Sequence, residues 1–321
     1  MTSIKDTYQR ITDTIVEQLE AGTKPWIRPW RGNARRSSII PRRATGEAYR
    51  GINVIMLWVA GQTFGYEENT WMTYRQAQDF GGQVRKGEKG TLVVKYGTFT
   101  PKDNEDDEDR AIPYLKGYTV FNVEQIEDMP DRFFSPAEEL PDNPVPHIET
   151  VERFVQNTGA SVSYGGTKAC YRPSIDDILM PDRGRFDSEV HLYSTLLHEV
   201  SHWSGAKHRL DRDLTGRFGS EGYAVEELVA ELAASFLCAD LGVAHDPRGN
   251  TAAYLASWLA VLKNDKRAII TAAAKAQVAA DWMHAQQLHV SQPELQGASQ
   301  LAPCTDSLAY AAGVEARTIM Q

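Results

Sequence analysis

Residues 196–203 read Leu-Leu-His-Glu-Val-Ser-His-Trp, an H-E-x-x-H inside an apolar-periodic run. On a helix from Ser194 to Ser204, His198 and His202 lie one turn apart on one face and reach one metal ion together. Glu199 stands beside them. In that arrangement two imidazoles hold a Zn²⁺, and the glutamate takes a proton from a water that the ion has acidified towards pH 7. That is hydrolase chemistry, and it requires a third ligand. Five residues with three fixed also arise by chance, so the rest of the chain has to supply one.

Two routes are open. The string H-E-x-x-H-x-x-G-x-x-H is matched through Gly205 and His208, but the methionine turn that accompanies it is missing, since the first methionine after His208 is Met283. The other route is a strong apolar helix from Tyr223, where Glu227 and Glu231 stand four apart on one face. Their neighbours Leu228, Val229, Leu232 and Ala233 make an unpaired carboxylate expensive there, so this helix calls for a cation. Glu227 is expected as the ligand, and Glu231 as the carboxylate that hydrogen-bonds a ligand imidazole from behind. The reverse assignment stays open, and His208 is the lesser alternative. Such a His₂Glu set takes several divalent ions, Mn²⁺ as well as Zn²⁺.

The elements that position these residues are legible from periodicity. A helix is predicted over 4–20, from Ile4, Tyr8, Ile11, Ile15 and Leu19, with Gly22 as its stop. A buried helix follows near 52–60 and another after Thr73. Glycine-bounded strands are expected at 83–96, as a hairpin, and at 117–123. Three short strands are expected between Val162 and Pro181, with Pro173 and Pro181 marking an edge strand of the kind zinc peptidases place beside the metal. Helices near 148–158, 252–262 and 267–287 complete the pattern. A chain of 321 residues exceeds the ~250 that one core usually supports, so two domains are expected. The expected fold is α+β: a small α+β module over 1–129, a linker over 130–146 with five prolines, a mostly helical domain with a short sheet over 147–290, and a loose tail over 291–321.

The net charge of −9 argues against a uniformly basic protein, but between Lys24 and Arg50 eight basic residues face a single acid, Glu47. There Lys24, Trp26, Arg28, Trp30 and Arg31 alternate cations with aromatic rings, which suits a strand whose bases stack and whose phosphates pair with guanidinium groups. The other reading is a loop whose tryptophans plug a core. The basic run continues through Arg35, Arg36, Arg42, Arg43, Tyr49 and Arg50, and the turn at Arg85, Lys86 and Lys89 adds three more cations. Cys170, Cys238 and Cys304 are odd in number and far apart, which fits a reducing cytosol. The first residues are polar and no apolar run is long enough for a membrane span, so a cytoplasmic location is expected.

In combination these stretches resemble the ArdC family of plasmid-encoded antirestriction proteins, which includes TraC primase relatives in their N-terminal portion. The resemblance runs from residue 1 to about 288. It rests on Lys24-Pro25-Trp26, Tyr49 to Asn53, Thr70 to Ala77, Val84 to Gly90, Val120 to Gln125, His198 to Trp203 and Glu226 to Glu231, in that order. It implies an N-terminal single-stranded-DNA-binding domain, a C-terminal zincin-like metallopeptidase domain, and protection of incoming plasmid DNA from host restriction during conjugation. It also favours glutamate as third ligand and makes the tryptophan segment and the Val84–Gly90 turn expected DNA contacts. Three functions compete: a DNA-binding metallopeptidase acting on a protein in the recipient cell, a single-strand coat whose metal site is structural or vestigial, and a metal-dependent nuclease.

Overall fold

The apolar stripe of the first helix, the β-branched strands after Gly90 and the alanine-rich last helix set the architecture. In the computed structural model, residues 4–27, 40–99, 112–134, 146–217, 219–243 and 251–287 are described. The first domain runs α1 (Ile4–Glu20), β1 (Arg42–Arg43), α2 (Ile52–Phe64), β2 (Thr70–Met72), α3 (Tyr74–Asp79), β3 (Gln83–Val84), β4 (Thr91–Phe99), β5 (Ile112–Asn122) and β6 (Ile126–Glu127). The second runs α4 (Pro146–Thr158), β7 (Ser161–Gly166), β8 (Cys170–Arg172), β9 (Asp177–Pro181), α5 (Glu189–Trp203), α6 (Glu221–Asp240), α7 (Thr251–Asn264) and α8 (Ala268–Gln287). The α+β, two-domain expectation holds.

In the first domain the strands order as β1-β2-β5-β4, with β4 and β5 antiparallel. One expectation is corrected here. Residues 83–96 are not a hairpin: β3 pairs with β6, while β4 pairs with β5. The Arg85–Gly90 turn crosses between two sheets, because the Gln125 side chain holds it by donating to Glu88 Oε2 and to the Lys89 carbonyl. Helix α2 is apolar on every face from Val54 to Ala60, the stretch that is wholly buried. Its Asn53 side chain exchanges hydrogen bonds with both backbone groups of Val94, so the outer edge of β4 is capped at that residue.

In the second domain β7, β9 and β8 form a small sheet in that order, and β8 is an edge strand. Helix α5 packs against β8 and β9, and α6 and α8 pack against α5 and each other. Alanines 272, 273, 276, 279 and 280 of α8 are buried without bulk, which lets α6 and α8 approach closely. A single apolar cluster includes Ile11 and Ile15 of α1, Ile55 of α2, Leu197 of α5, Leu232 of α6 and Ile269 of α8, so the core is continuous across both domains. Among the described residues no helix is long and apolar enough to cross a membrane.

Candidate metal centre

Helix α5 starts at Ser188, whose side chain accepts from the His191 backbone N–H, and runs without interruption through the H-E-x-x-H. His198 and His202 project from one face, their Nε2 atoms 3.1 Å apart. Helix α6 lies across them. It brings the Glu227 carboxylate between the two rings, with Oε2 3.5 Å from His198 Nε2 and Oε1 3.6 Å from His202 Nε2. One ligand atom from each of the three residues falls within 4.8 Å of the others. Tetrahedral bonds of about 2.0–2.1 Å set ligand atoms roughly 3.3 Å apart. The spacing and the donor set both suit a divalent ion.

Each imidazole is backed by a further carboxylate, and each carboxylate by a buried cation. Glu231 Oε2 lies 3.5 Å from His198 Nδ1, and Glu231 Oε1 accepts from Lys24 Nζ at 3.0 Å and from Trp26 Nε1 at 3.3 Å. On the other side Glu226 Oε1 lies 3.3 Å from His202 Nδ1, and Arg212 donates to Glu226 from Nη2 at 2.8 Å and from Nε at 3.0 Å. Arg212 also holds Ser204 Oγ and the Ser201 carbonyl, tying the loop after α5 to the helix it left. Burial alone would push both imidazoles down. The carboxylates outweigh it, raising His198 well above its ordinary value through Glu227 and Glu231, and His202 to about 9 through Glu226 and Glu227. Glu227 is itself buried, which favours its neutral form, but the two imidazoles hold its carboxyl far below the usual range. A divalent ion and protons compete for these same nitrogens.

Glu199 is buried beside the pair, and its Oε2 accepts from the backbone N–H of Tyr171 at 2.9 Å. That amide belongs to β8, so the edge strand is fastened to the H-E-x-x-H helix by the glutamate itself. A cleft of about 780 Å³ opens there, lined by Cys170 and Tyr171 of β8, the histidines, Glu199, Glu227, and the phenols of Tyr223 and Tyr254. Those two hydroxyls lie 3.2 Å apart. Burial, with Glu227 next, raises the Tyr223 phenol, so it stays a hydrogen-bond donor across the working pH range.

Several expected residues are found elsewhere. His208 is exposed and turns to Asp176 at 3.3 Å, away from the ligand cluster. Lys24 and Trp26, expected on a strand-binding surface, are 9% and 1% exposed and face Glu231; of the two readings of that segment, Trp26 follows the core-plugging one. Tyr49 is buried beneath the Arg43 guanidinium, whereas Arg50 is exposed and pairs with Asp281 of α8, across to the second domain. Arg42, Arg43, Arg85, Lys86 and Lys89 are exposed, Arg43 and Arg85 being paired with Glu47 and Glu88. Arg28, Trp30, Arg31, Arg35 and Arg36 lie outside the described residues. Glu226 and Arg212 carried no sequence signal: Glu226 sits next to Glu227 in a charged pair that reads as a solvated helix face.

Residues 5–121 match the N-terminal domain of the anti-restriction factor ArdC, and residues 149–275 match a zincin-like metallopeptidase family. An uncharacterized protein of Sinorhizobium fredii is 45% identical over 303 residues, which are 92% of this chain and 96% of that one. The Escherichia coli DNA primase TraC is 39% identical over 296 residues, 87% of this chain but only 20% of TraC. Crystal structures of antirestriction protein ArdC from plasmid R388, one metal-free and one with Mn(II), superpose with a TM-score of 0.74 at 43% identity. They cover 89% and 88% of this chain and 99% of their own. Matched in both domains, and over almost the whole length of a solved relative, the chain belongs to the ArdC family of antirestriction proteins.

Proposed function

We propose that the chain is a cytoplasmic antirestriction factor that binds single-stranded DNA without sequence preference and cleaves a protein in the cell receiving a conjugating plasmid. The observation that carries the peptidase half is the convergence of His198, His202 and Glu227 beside a glutamate fastened to an edge strand. The three residues would hold the ion, with Zn²⁺ the expected occupant and Mn²⁺, the ion bound to ArdC of plasmid R388 in one crystal structure, the alternative. When bound, such an ion polarises a carbonyl and acidifies water. The chain's own residues do the rest. An extended peptide lies along β8, the edge strand beside the cleft. Glu199 keeps one oxygen on the Tyr171 amide and uses the other to take a proton from the attacking water and return it to the leaving amine. Tyr223 and Tyr254 stand in the same cleft with hydroxyls able to donate to an oxygen that gains charge.

For DNA, the exposed cations at Arg42, Lys86 and Lys89, with the basic segment through Arg35 and Arg36, supply phosphate contacts that are base-tolerant and salt-sensitive. Glu199→Gln tests the whole reading in one variant, because it removes the base and spares every ligand. The variant is expected to retain its metal and its single-strand affinity while losing protein cleavage and protection of a plasmid transferred into a restricting host. Full protection by Glu199→Gln would leave only a strand coat with a structural metal.

A further inference from the structure

We propose that Lys24 and Trp26 are positioning residues of the metal centre, supplied by the first domain, so that the second domain alone lacks part of its own active site. The inference rests on reading His198, His202 and Glu227 as the ligands. Glu231 is 3% exposed and belongs to the second domain, yet both donors to its Oε1 come from more than two hundred residues earlier in the chain. The two bonds differ in kind. Lys24 brings a charge and Trp26 a neutral N–H fixed in direction by its ring. Together they hold one carboxylate oxygen and leave Oε2 directed at His198 Nδ1, 3.5 Å away. His198 Nδ1 is buried and makes no hydrogen bond at that distance, so Oε2 is the atom placed to close on its proton when an ion occupies Nε2, which faces Glu227 and His202.

The segment carrying these residues is built to stay in place. Helix α1 stops at Gly22, whose φ of 77° is a left-handed turn that a glycine adopts without strain. The Ile27 N–H bonds the Lys24 carbonyl, and Gln62 of α2 donates to the Ile27 carbonyl. The Trp26 ring meets Trp258 of α7 edge to face at 5.4 Å, and Lys24 Nζ stands 5.3 Å from the centre of the same ring. A loop needing only to fill the core would not aim two polar donors at one buried oxygen. Arg212 does for Glu226 and His202 what this pair does for Glu231 and His198, but from within the second domain.

The test uses the full chain, titrated with Mn²⁺ and with Zn²⁺ against a competing chelator, in wild type, Trp26→Phe, Lys24→Met and Lys24→Arg. The visible spectrum of the Co²⁺-loaded protein serves as a second readout of ligand geometry. Trp26→Phe keeps an aromatic ring beside Trp258 and removes the N–H together with the five-membered part of the indole, so it carries the test should Lys24→Met fail to fold. Trp26→Phe and Lys24→Met are each expected to weaken metal binding by about ten- to a hundredfold and to change the Co²⁺ spectrum, with Lys24→Arg recovering part of the loss. Folded Trp26→Phe and Lys24→Met proteins that bind both ions within about twofold of wild type, with an unchanged spectrum, would overturn the proposal. A wild-type chain that takes up neither ion would instead remove the ligand reading beneath it.

Discussion

Glu226 is a carboxylate buried between an imidazole and a guanidinium, and what it costs depends on Arg212. Arg212 is 5% exposed at its side chain and donates five hydrogen bonds, three to the Glu226 carboxylate and one each to Ser204 Oγ and the Ser201 carbonyl, so its loss strands a buried charge. Arg212→Met is therefore expected to destabilise the metal-free protein by about 3–5 kcal/mol. Arg212→Met with Glu226→Gln should recover a good part of this, since the stranded charge is then gone, and a double-mutant cycle by urea unfolding measures the coupling. Equal losses in the single and double variants would mean that Arg212 acts through packing alone. At this scale the sequence was informative where spacing carries meaning. His198, Glu199 and His202 follow from a helix period, and Glu227 with Glu231 from four-residue spacing on an apolar face. Glu226 lies about a quarter-turn from Glu227, on a face that an exposed helix would also fill with acid. Lys24 and Trp26 were visible as unusual but not as partners of Glu231, because nothing local encodes a pairing across 207 residues.

The edge strand β8 is only three residues long, so it is held by its surroundings more than by its ladder. Its turn ends at Asp176, in the left-handed region at φ 51°, and the Asp176 carboxylate accepts from Tyr171 Oη at 2.8 Å and from Arg209 Nη1 at 3.0 Å. Arg209 in turn stacks 3.7 Å from the centre of the Trp203 ring at the end of α5. A clamp thus joins the strand that holds Glu199 to the helix that carries it. The Arg209 guanidinium keeps the Asp176 carboxyl down at about 2, below its ordinary 3.8. The clamp's contribution is therefore complete above about pH 4 and fades as the pH falls through about 2, so it stays constant between pH 5 and 8. Asp176→Asn tolerates the same backbone and removes the charge. It is expected to speed amide exchange at Tyr171 about tenfold for each ~1.4 kcal/mol of clamping lost, with α5 unaffected. Unchanged exchange at Tyr171 would show that Glu199 alone fixes the strand. The existence of these strands was readable from glycine and proline punctuation. The pairing of β3 with β6 was not, because Gly87 and Gly90 look like hairpin glycines, and the side chain that redirects the chain, Gln125, lies 35 residues beyond Gly90.

Across the whole molecule the two domains are joined by polar ties as well as by a shared apolar core. Thr12 of α1 donates to the Lys266 carbonyl at 2.7 Å, the Gly51 amide at the start of α2 donates to Gln277 of α8 at 2.8 Å, and Lys24 reaches Glu231. A core shared in this way unfolds as one unit when the cost of exposing the interface exceeds what either half retains alone. Metal binding to α5 and α6 should then stabilise α1, α2 and the β4–β5 sheet as much as the helices that touch the ion. An ion at a hundredfold its dissociation constant adds about 2.7 kcal/mol to any transition that releases it. For a chain of 321 residues that is roughly 4 °C in the melting midpoint, at about 1.5 °C per kcal/mol. Thermal melts with and without chelator, read by hydrogen exchange on peptides from α1, β5, α5 and α8, resolve the question. All four regions are expected to gain protection together when Zn²⁺ is present. Protection confined to α5 and α8, with α1 and β5 melting at an unchanged temperature, would mean that the domains unfold independently and that the shared core is a contact between two self-sufficient units.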